Sequence, residues 1–277
     1  MTILFSCIIF LLGLLIGSFL NVCIYRIPRH ESIVSPPSHC PSCNHQLSAL
    51  DLIPVFSWIF LGGKCRYCKN KISPAYMVTE ILTAVLFLLA FLKFGLTPYL
   101  AAALFLTALL VASSFIDLKH TIIPNGIVIT GIAAGVLFML FRIVPGNYVK
   151  FLPNAADAAL GFLAGGVPLL LINLLSKLIL KKEGMGGGDM KLMAMAGIFL
   201  GWKLVLLSLL LAVYLGGVTG LVIVLRKRFR QPTKQDAQQK GTGTYMPFGP
   251  FLAMGCYAAM TVGSDLIGWY AAMIGLG

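Results

Sequence analysis

Eight apolar stretches dominate this chain and leave few folds open to it. They run over residues 2–25, 75–92, 97–116, 122–141, 156–180, 190–201, 203–225 and 248–275. Most approach the roughly 20 residues that an α-helix needs to cross a bilayer. The sixth is the exception, because its twelve residues rise only about 18 Å, which suits a short tilted span or a re-entrant half-helix. Of the 277 residues only 11% are charged and 58% are hydrophobic, with a mean hydropathy of +0.92. A soluble domain carries about a quarter charged residues. The fold class that follows is an all-α membrane protein of about eight transmembrane helices.

The placement of charge orients those helices. The formal net charge of +12 could point to nucleic acid, but in a polytopic protein it more often records the cytoplasmic excess of Lys and Arg. The first 25 residues hold no Lys or Arg, and Arg26 and Arg29 follow at once. A signal peptide has the reverse order and a small-residue cleavage site. The first stretch therefore reads as a retained span with its N-terminus outside. Segments 26–74, 117–121, 181–191 and 226–247 then fall in the cytoplasm, and they hold 16 of the 21 basic residues. Lys181-Lys182 and Arg226-Lys227-Arg228 lie on one side, so the chain between them crosses twice, with Lys203 at the outer turn. No nucleic-acid partner is expected; the surroundings are membrane lipid.

The segment 26–74 is a cytoplasmic insertion with its own signal. Cys40-Pro41-Ser42-Cys43 and Cys65-Arg66-Tyr67-Cys68 are paired CxxC knuckles, 21 residues apart. Four thiolates at this spacing close a tetrahedral zinc site, in the manner of a zinc ribbon. Two disulfides are the alternative, and a reducing cytoplasm argues against them. His30, His39 and His45 lie nearby as spare ligands. Cys7, Cys23 and Cys256 read as small buried residues of apolar spans. Residues 231–243 read as a flexible linker. It leads to Tyr245-Met246-Pro247-Phe248-Gly249-Pro250, a stiff helix start or a loop held extended beside a site.

Two acids stand at the ends of apolar runs. Asp117 closes the third, and Asp189 follows Gly186-Gly187-Gly188 at the foot of the sixth. Singly, each has an ordinary reading: an acid at a span's end near Lys119, and a helix N-cap after a glycine turn. The glycines remove every Cβ just before Asp189, so another backbone can come close. Charge parity puts both acids at the cytoplasmic edge. Two adjacent carboxylates share a proton and titrate as a pair, which suits aspartyl proteolysis. The ionised acid draws a proton from water, the water attacks a scissile carbonyl, and the protonated partner serves the oxyanion and the leaving amine. The roles of the two stay open. No GxSxG or HExxH competes.

These residues, taken in order, resemble the type IV prepilin leader peptidase and N-methyltransferase family. The likeness rests on 17–28 (GSFLNVCIYRIP), the two knuckles with 53–58 (IPVFSW) between them, and 78–84 (VTEILTA). It continues through 117–124 (DLKHTIIP), the block Glu183–Leu192 and 247–250 (PFGP). The resemblance implies a bacterial inner-membrane enzyme that cuts type IV prepilins and pseudopilins at the cytoplasmic face, after the glycine of a short leader. It then implies N-methylation of the new N-terminal residue from S-adenosylmethionine. It makes Asp117 and Asp189 the catalytic pair, with Gly186, Gly188 and Lys191 supporting the motif. It makes 26–74 the module associated with methylation, between a first helix over 1–25 and a peptidase core over 75–277. Glu80 fits the family's acid at the start of the second span and is the candidate for the cofactor. Gly187 departs from the pattern, since family members often carry an aromatic there.

Two rival readings draw on other features. A presenilin-like intramembrane protease also uses GxGD, but pairs it with Tyr-Asp and Pro-Ala-Leu, where this chain has Ile116-Asp117 and Phe248-Gly249-Pro250. A non-enzymatic assembly factor would use the zinc ribbon to dock partners and would tolerate loss of Asp189.

Overall fold

Residues 2–142, 153–181, 186–229 and 247–275 are described by the computed structural model. Their helices are α1 (Thr2–Arg26), a short α2 (Phe56–Phe60), α3 (Ala75–Phe94), α4 (Pro98–His120), α5 (Asn125–Arg142), α6 (Ala155–Leu180), α7 (Gly187–Phe229) and α8 (Gly249–Met273). Among the described residues there is no strand, only isolated bridges in the insertion. Six helices are long and apolar enough to cross a membrane, and α5 adds a shorter apolar stretch, Asn125–Leu140. The chain is a multi-pass, all-α membrane protein.

The sixth and seventh apolar stretches are two helical segments that meet at a kink within α7. α7 covers 43 residues and breaks at Gly201, whose φ of 75° and ψ of 171° are not helical. That break lies two residues before Lys203, the expected outer turn. Other boundaries move for local reasons. α4 runs past Asp117 to His120 and stops at Thr121, which adopts a left-handed φ of 54°. α5 begins only after Pro124, which holds Ile123 away from helical geometry. α7 continues through Arg226 to Phe229, so the basic tract there is helical; the linker over 231–243, Glu183 and Tyr245-Met246 lie outside the described residues. Cys7 is exposed, not buried as its apolar setting suggests, while Cys23 and Cys256 are buried.

The chain divides into two compact units, Met1–Ile116 with Pro124–Leu152, and Asp117–Ile123 with Pro153–Gly277. In the first, α1 packs on α3 through glycines. A Cβ at Gly13 would stand 2.5 Å from the Ala84 Cα, and one at Gly17 would stand 2.7 Å from the Glu80 Cα. Leu20 and Ile24 of α1 join Val111, Ala112 and Ile116 of α4 and Ile127 of α5 in an apolar core. In the second unit α6 and α7 cross with Gly161 against Gly197 and Gly165 against the Met193 carbonyl, and α8 brings Gly255 onto the Ser208 carbonyl. Lipid offers no hydrophobic drive between helices, so close packing at small residues is what holds such pairs. At Gly197 an added side chain meets the Gly161 backbone, which cannot rotate aside. Gly197→Val is therefore expected to destabilise the protein by about 1–3 kcal/mol or more. A thermal melt in detergent that matches wild type would contradict this.

Candidate functional site

Within the second unit two carboxylates are brought together. Asp117, 4% exposed, lies one turn from the end of α4, and Asp189, 6% exposed, lies in the first turn of α7. They are near enough for their charges to interact. Asp189 is not the helix cap: α7 starts at Gly187, and the Asp189 N–H donates to the Gly186 carbonyl at 3.2 Å. Gly188 gives the close approach that the glycine run suggests, since a Cβ there would stand 2.9 Å from the Ile123 Cβ. At Gly187 an added Cβ would meet only Met190 of its own helix, at 3.9 Å, so a larger residue fits there. Lys191 is exposed one step beyond.

A third participant comes from far along the chain. The Gly249 N–H donates to Asp117 Oδ2 at 2.9 Å. A Cβ on Gly249 would stand 2.6 Å from that same oxygen, so only glycine lets this backbone reach the acid. The Pro-Phe-Gly-Pro stretch is thus both a helix start, with Pro250 inside the first turn of α8, and a neighbour of Asp117. Sequence reasoning places the stretch near a site but not Gly249 as the donor.

The insertion is built from the same backbone pattern used twice. Cys40 N–H donates to the His45 carbonyl and Asn44 N–H to the Cys40 carbonyl; Cys65 and Asn70, then Lys69 and Cys65, repeat this at the same spacing. Each loop turns through a left-handed residue, Asn44 (φ 55°) and Lys69 (φ 60°). The sulfurs of Cys40, Cys43, Cys65 and Cys68 all lie within 4.8 Å of one another, with Cys40 and Cys68 at 3.9 Å. A tetrahedral zinc with bonds of about 2.3 Å sets its sulfurs about 3.8 Å apart, so the donors fit that ion. Burial pushes the Cys40 thiol up, but the N–H groups of Ser42 and Cys43 and the neighbouring thiols outweigh this and bring it down to about 7. The three histidines are not in the group; His45 instead stacks on Tyr67 at 3.6 Å.

Asp51 fastens one knuckle to the other. It accepts from Arg66 Nε at 2.6 Å and the Tyr67 hydroxyl at 3.1 Å, the two residues between the second pair of cysteines, and from Ser48. Burial opposes its ionisation, but these donors, Arg66 foremost, hold its carboxyl down at about 2.

The insertion is clasped to α3 by Glu80, which is 8% exposed. Its Oε2 accepts the Val55 N–H at 2.7 Å. Val55 has φ 63° and ψ −53°, and Phe56 N–H reaches back to the Pro54 carbonyl at 2.6 Å. This is a γ-turn of the strained hand, here on a β-branched residue, at a cost of about 1–3 kcal/mol. A hydrogen bond to a buried carboxylate is worth about 1.5–3 kcal/mol, enough to offset it. Glu80 is thus no mere helix-start acid, and nothing in the spacing of the sequence announces Val55 as its partner.

Two family models match the chain. The bacterial peptidase A24 N-terminal domain covers residues 11–94 and the type IV leader peptidase family covers 104–221. A prepilin leader peptidase/N-methyltransferase of Aeromonas salmonicida (strain A449) is 35% identical over 98% of this chain and 95% of its own length. The chain belongs to the type IV leader peptidase family. Proteins of the same printed name from Pseudomonas aeruginosa and Bacillus subtilis (strain 168) are 34% and 33% identical, each over 96% of this chain and 93% and 98% of their own. No solved structure matches it significantly. Membership sets aside the presenilin-like and assembly-factor readings. For this family member, elemental analysis of purified protein is expected to give about one zinc per chain. Cys65→Ser should lose the metal, with amide exchange rising across 38–72; a zinc-free but folded wild-type insertion would overturn the assignment.

Proposed function

We propose that this chain is an aspartyl endopeptidase that removes the leader of type IV prepilins or pseudopilins after a glycine, and then methylates the exposed N-terminal amine using S-adenosylmethionine. The observation that carries the peptidase half is a pair of buried acids, Asp117 and Asp189, with the Gly249 N–H on one of them. The pair holds one proton between two carboxylates. The ionised member takes a proton from a bridging water, which attacks the scissile carbonyl; the protonated member donates to the developing oxyanion. Collapse breaks the C–N bond, the oxyanion's proton returns to the carboxyl that lent it, and the proton taken from water goes to the leaving amine. The Gly249 N–H fixes the Asp117 carboxylate so that the pair stays aligned.

The distribution of Lys and Arg supports a cytoplasmic location for both acids and for the insertion, in a bacterial inner membrane. On this reading residues 1–25 anchor the chain, 26–74 form the methylation-associated module and 75–277 the peptidase core. Zinc on Cys40, Cys43, Cys65 and Cys68 is structural, because four thiolates leave no open position for substrate.

Mass spectrometry of a prepilin N-terminal peptide incubated with the protein in lipid tests this. Asp117→Asn and Asp189→Asn are each expected to lower cleavage by about 10²–10⁴-fold or more. Gly249→Ala displaces Asp117 and should cost about 10²-fold. Unchanged cleavage in Asp189→Asn would sink the aspartyl mechanism.

A further inference from the structure

The short helix α2 carries apolar side chains on two faces. Trp58 and Leu61, beside it, line a cavity of about 440 Å³ that the insertion closes with α1 and α3. Phe56, Ile59 and Phe60 follow the i, i+3, i+4 spacing that gathers side chains on one face. They are 51%, 56% and 84% exposed, and Ile53 just before them is exposed as well. A contiguous apolar surface of this kind marks a partner or a membrane contact.

Two hydrogen bonds fix the depth of that surface. Val55, the residue before α2, donates its N–H to Glu80 Oε2 at 2.7 Å. Trp58 Nε1–H reaches the Ile72 carbonyl at 3.3 Å, just ahead of the start of α3 at Ala75. The 20 residues of α3 rise about 30 Å, the thickness of a hydrocarbon core. Glu80 therefore lies about 7.5 Å in from the end of α3, and its side chain leans back toward that end. This holds α2 where headgroups meet acyl chains, the level at which interfacial helices bury their apolar face by about 5–10 Å. Val78 and Ile81, which flank Glu80 in α3, are outward-facing too.

A basic groove adjoins α2. Lys64 and Lys71 stand opposite each other across an antiparallel bridge and line the groove with Trp58, Ile72 and Pro74. Both are exposed, and among the described residues neither pairs with an acid; Asp51 is taken by Arg66. Like charges directly opposite are unfavourable, and a phosphate between them relieves that repulsion.

We propose that α2 and this groove form a membrane-docking surface for an anionic leaflet. Phe56, Ile59 and Phe60 enter the acyl boundary, and Lys64 and Lys71 hold the phosphate of an anionic phospholipid. Five residues are too few to make a stable helix unaided, so the Val55–Glu80 bond supplies the placement. The inference goes beyond the peptidase and methylation readings and needs neither. The cytoplasmic leaflet, which the distribution of Lys and Arg assigns to this segment, is the anionic one.

The test uses the full chain in nanodiscs of phosphatidylcholine alone or mixed with phosphatidylglycerol. Both faces of a disc carry the same lipid, so the result does not depend on orientation. With p-benzoylphenylalanine in place of Phe60, ultraviolet light is expected to add one lipid mass to the chain. Label on a second copy of the chain, or none on lipid, overturns the docking. Amide exchange across 56–62 is expected to be about fivefold slower or more in the anionic discs. Lys64→Gln together with Lys71→Gln should abolish that difference. Exchange that ignores lipid charge in the wild type, or a difference that survives both substitutions, overturns the headgroup assignment. All three substituted side chains are exposed, and a single cooperative melt shows that each variant is folded.

Discussion

A pair of helices in lipid gains nothing by hiding apolar side chains from one another, so their contact has to come from the backbone itself. In this protein glycines supply that contact, and the acids are found beside them. Gly17 lets α1 reach the Cα of Glu80, Gly249 lets the start of α8 touch Asp117, and Gly188 lets Ile123 close on the residue before Asp189. Two of these carboxylates then meet a main-chain N–H, Gly249 on Asp117 and Val55 on Glu80. Main-chain N–H groups cannot swing away, so the geometry they impose is fixed at folding and costs little reorganisation during reaction. The glycines therefore do two things at once: they let the helices assemble, and they leave room for a charge.

The insertion follows a different logic. It is short of apolar core, with Cys40 and Cys65 among its few buried side chains, so its order comes from hydrogen-bonded turns, the Asp51 fastening and the sulfur cluster. Its tie to α3 runs through one carboxylate, Glu80. Glu80 also lines the cavity beneath the insertion, so loop shape and cavity charge depend on one residue.

The sequence was legible where the signal is local. Apolar length gives the spans and CxxC spacing gives the cluster, because each depends on residues close together in the chain. Charge parity had placed Asp117 and Asp189 at one edge as an expectation, and the two charges do lie near enough to interact. What stayed hidden was which donor meets which acceptor. Gly249 lies 132 residues from Asp117, and no periodicity connects a backbone N–H to a distant carboxylate. Val55 was opaque for another reason, as a β-branched residue is a poor candidate for a positive φ. The change of segment near Lys203 was legible as well, since the helical geometry is interrupted at Gly201.

The repeated knuckle has a consequence of its own. Neither half owns a complete set of four sulfurs, and each half is a turn too short to stand alone. Closure of one is therefore conditional on the presence of the other, and the loop between them, residues 44–64, must be looped out before either gains anything. Such an arrangement behaves as a latch with two states, shut or undone, with little occupancy between. Each insertion is accordingly either closed or open, and the closed share should follow one-site saturation by the metal.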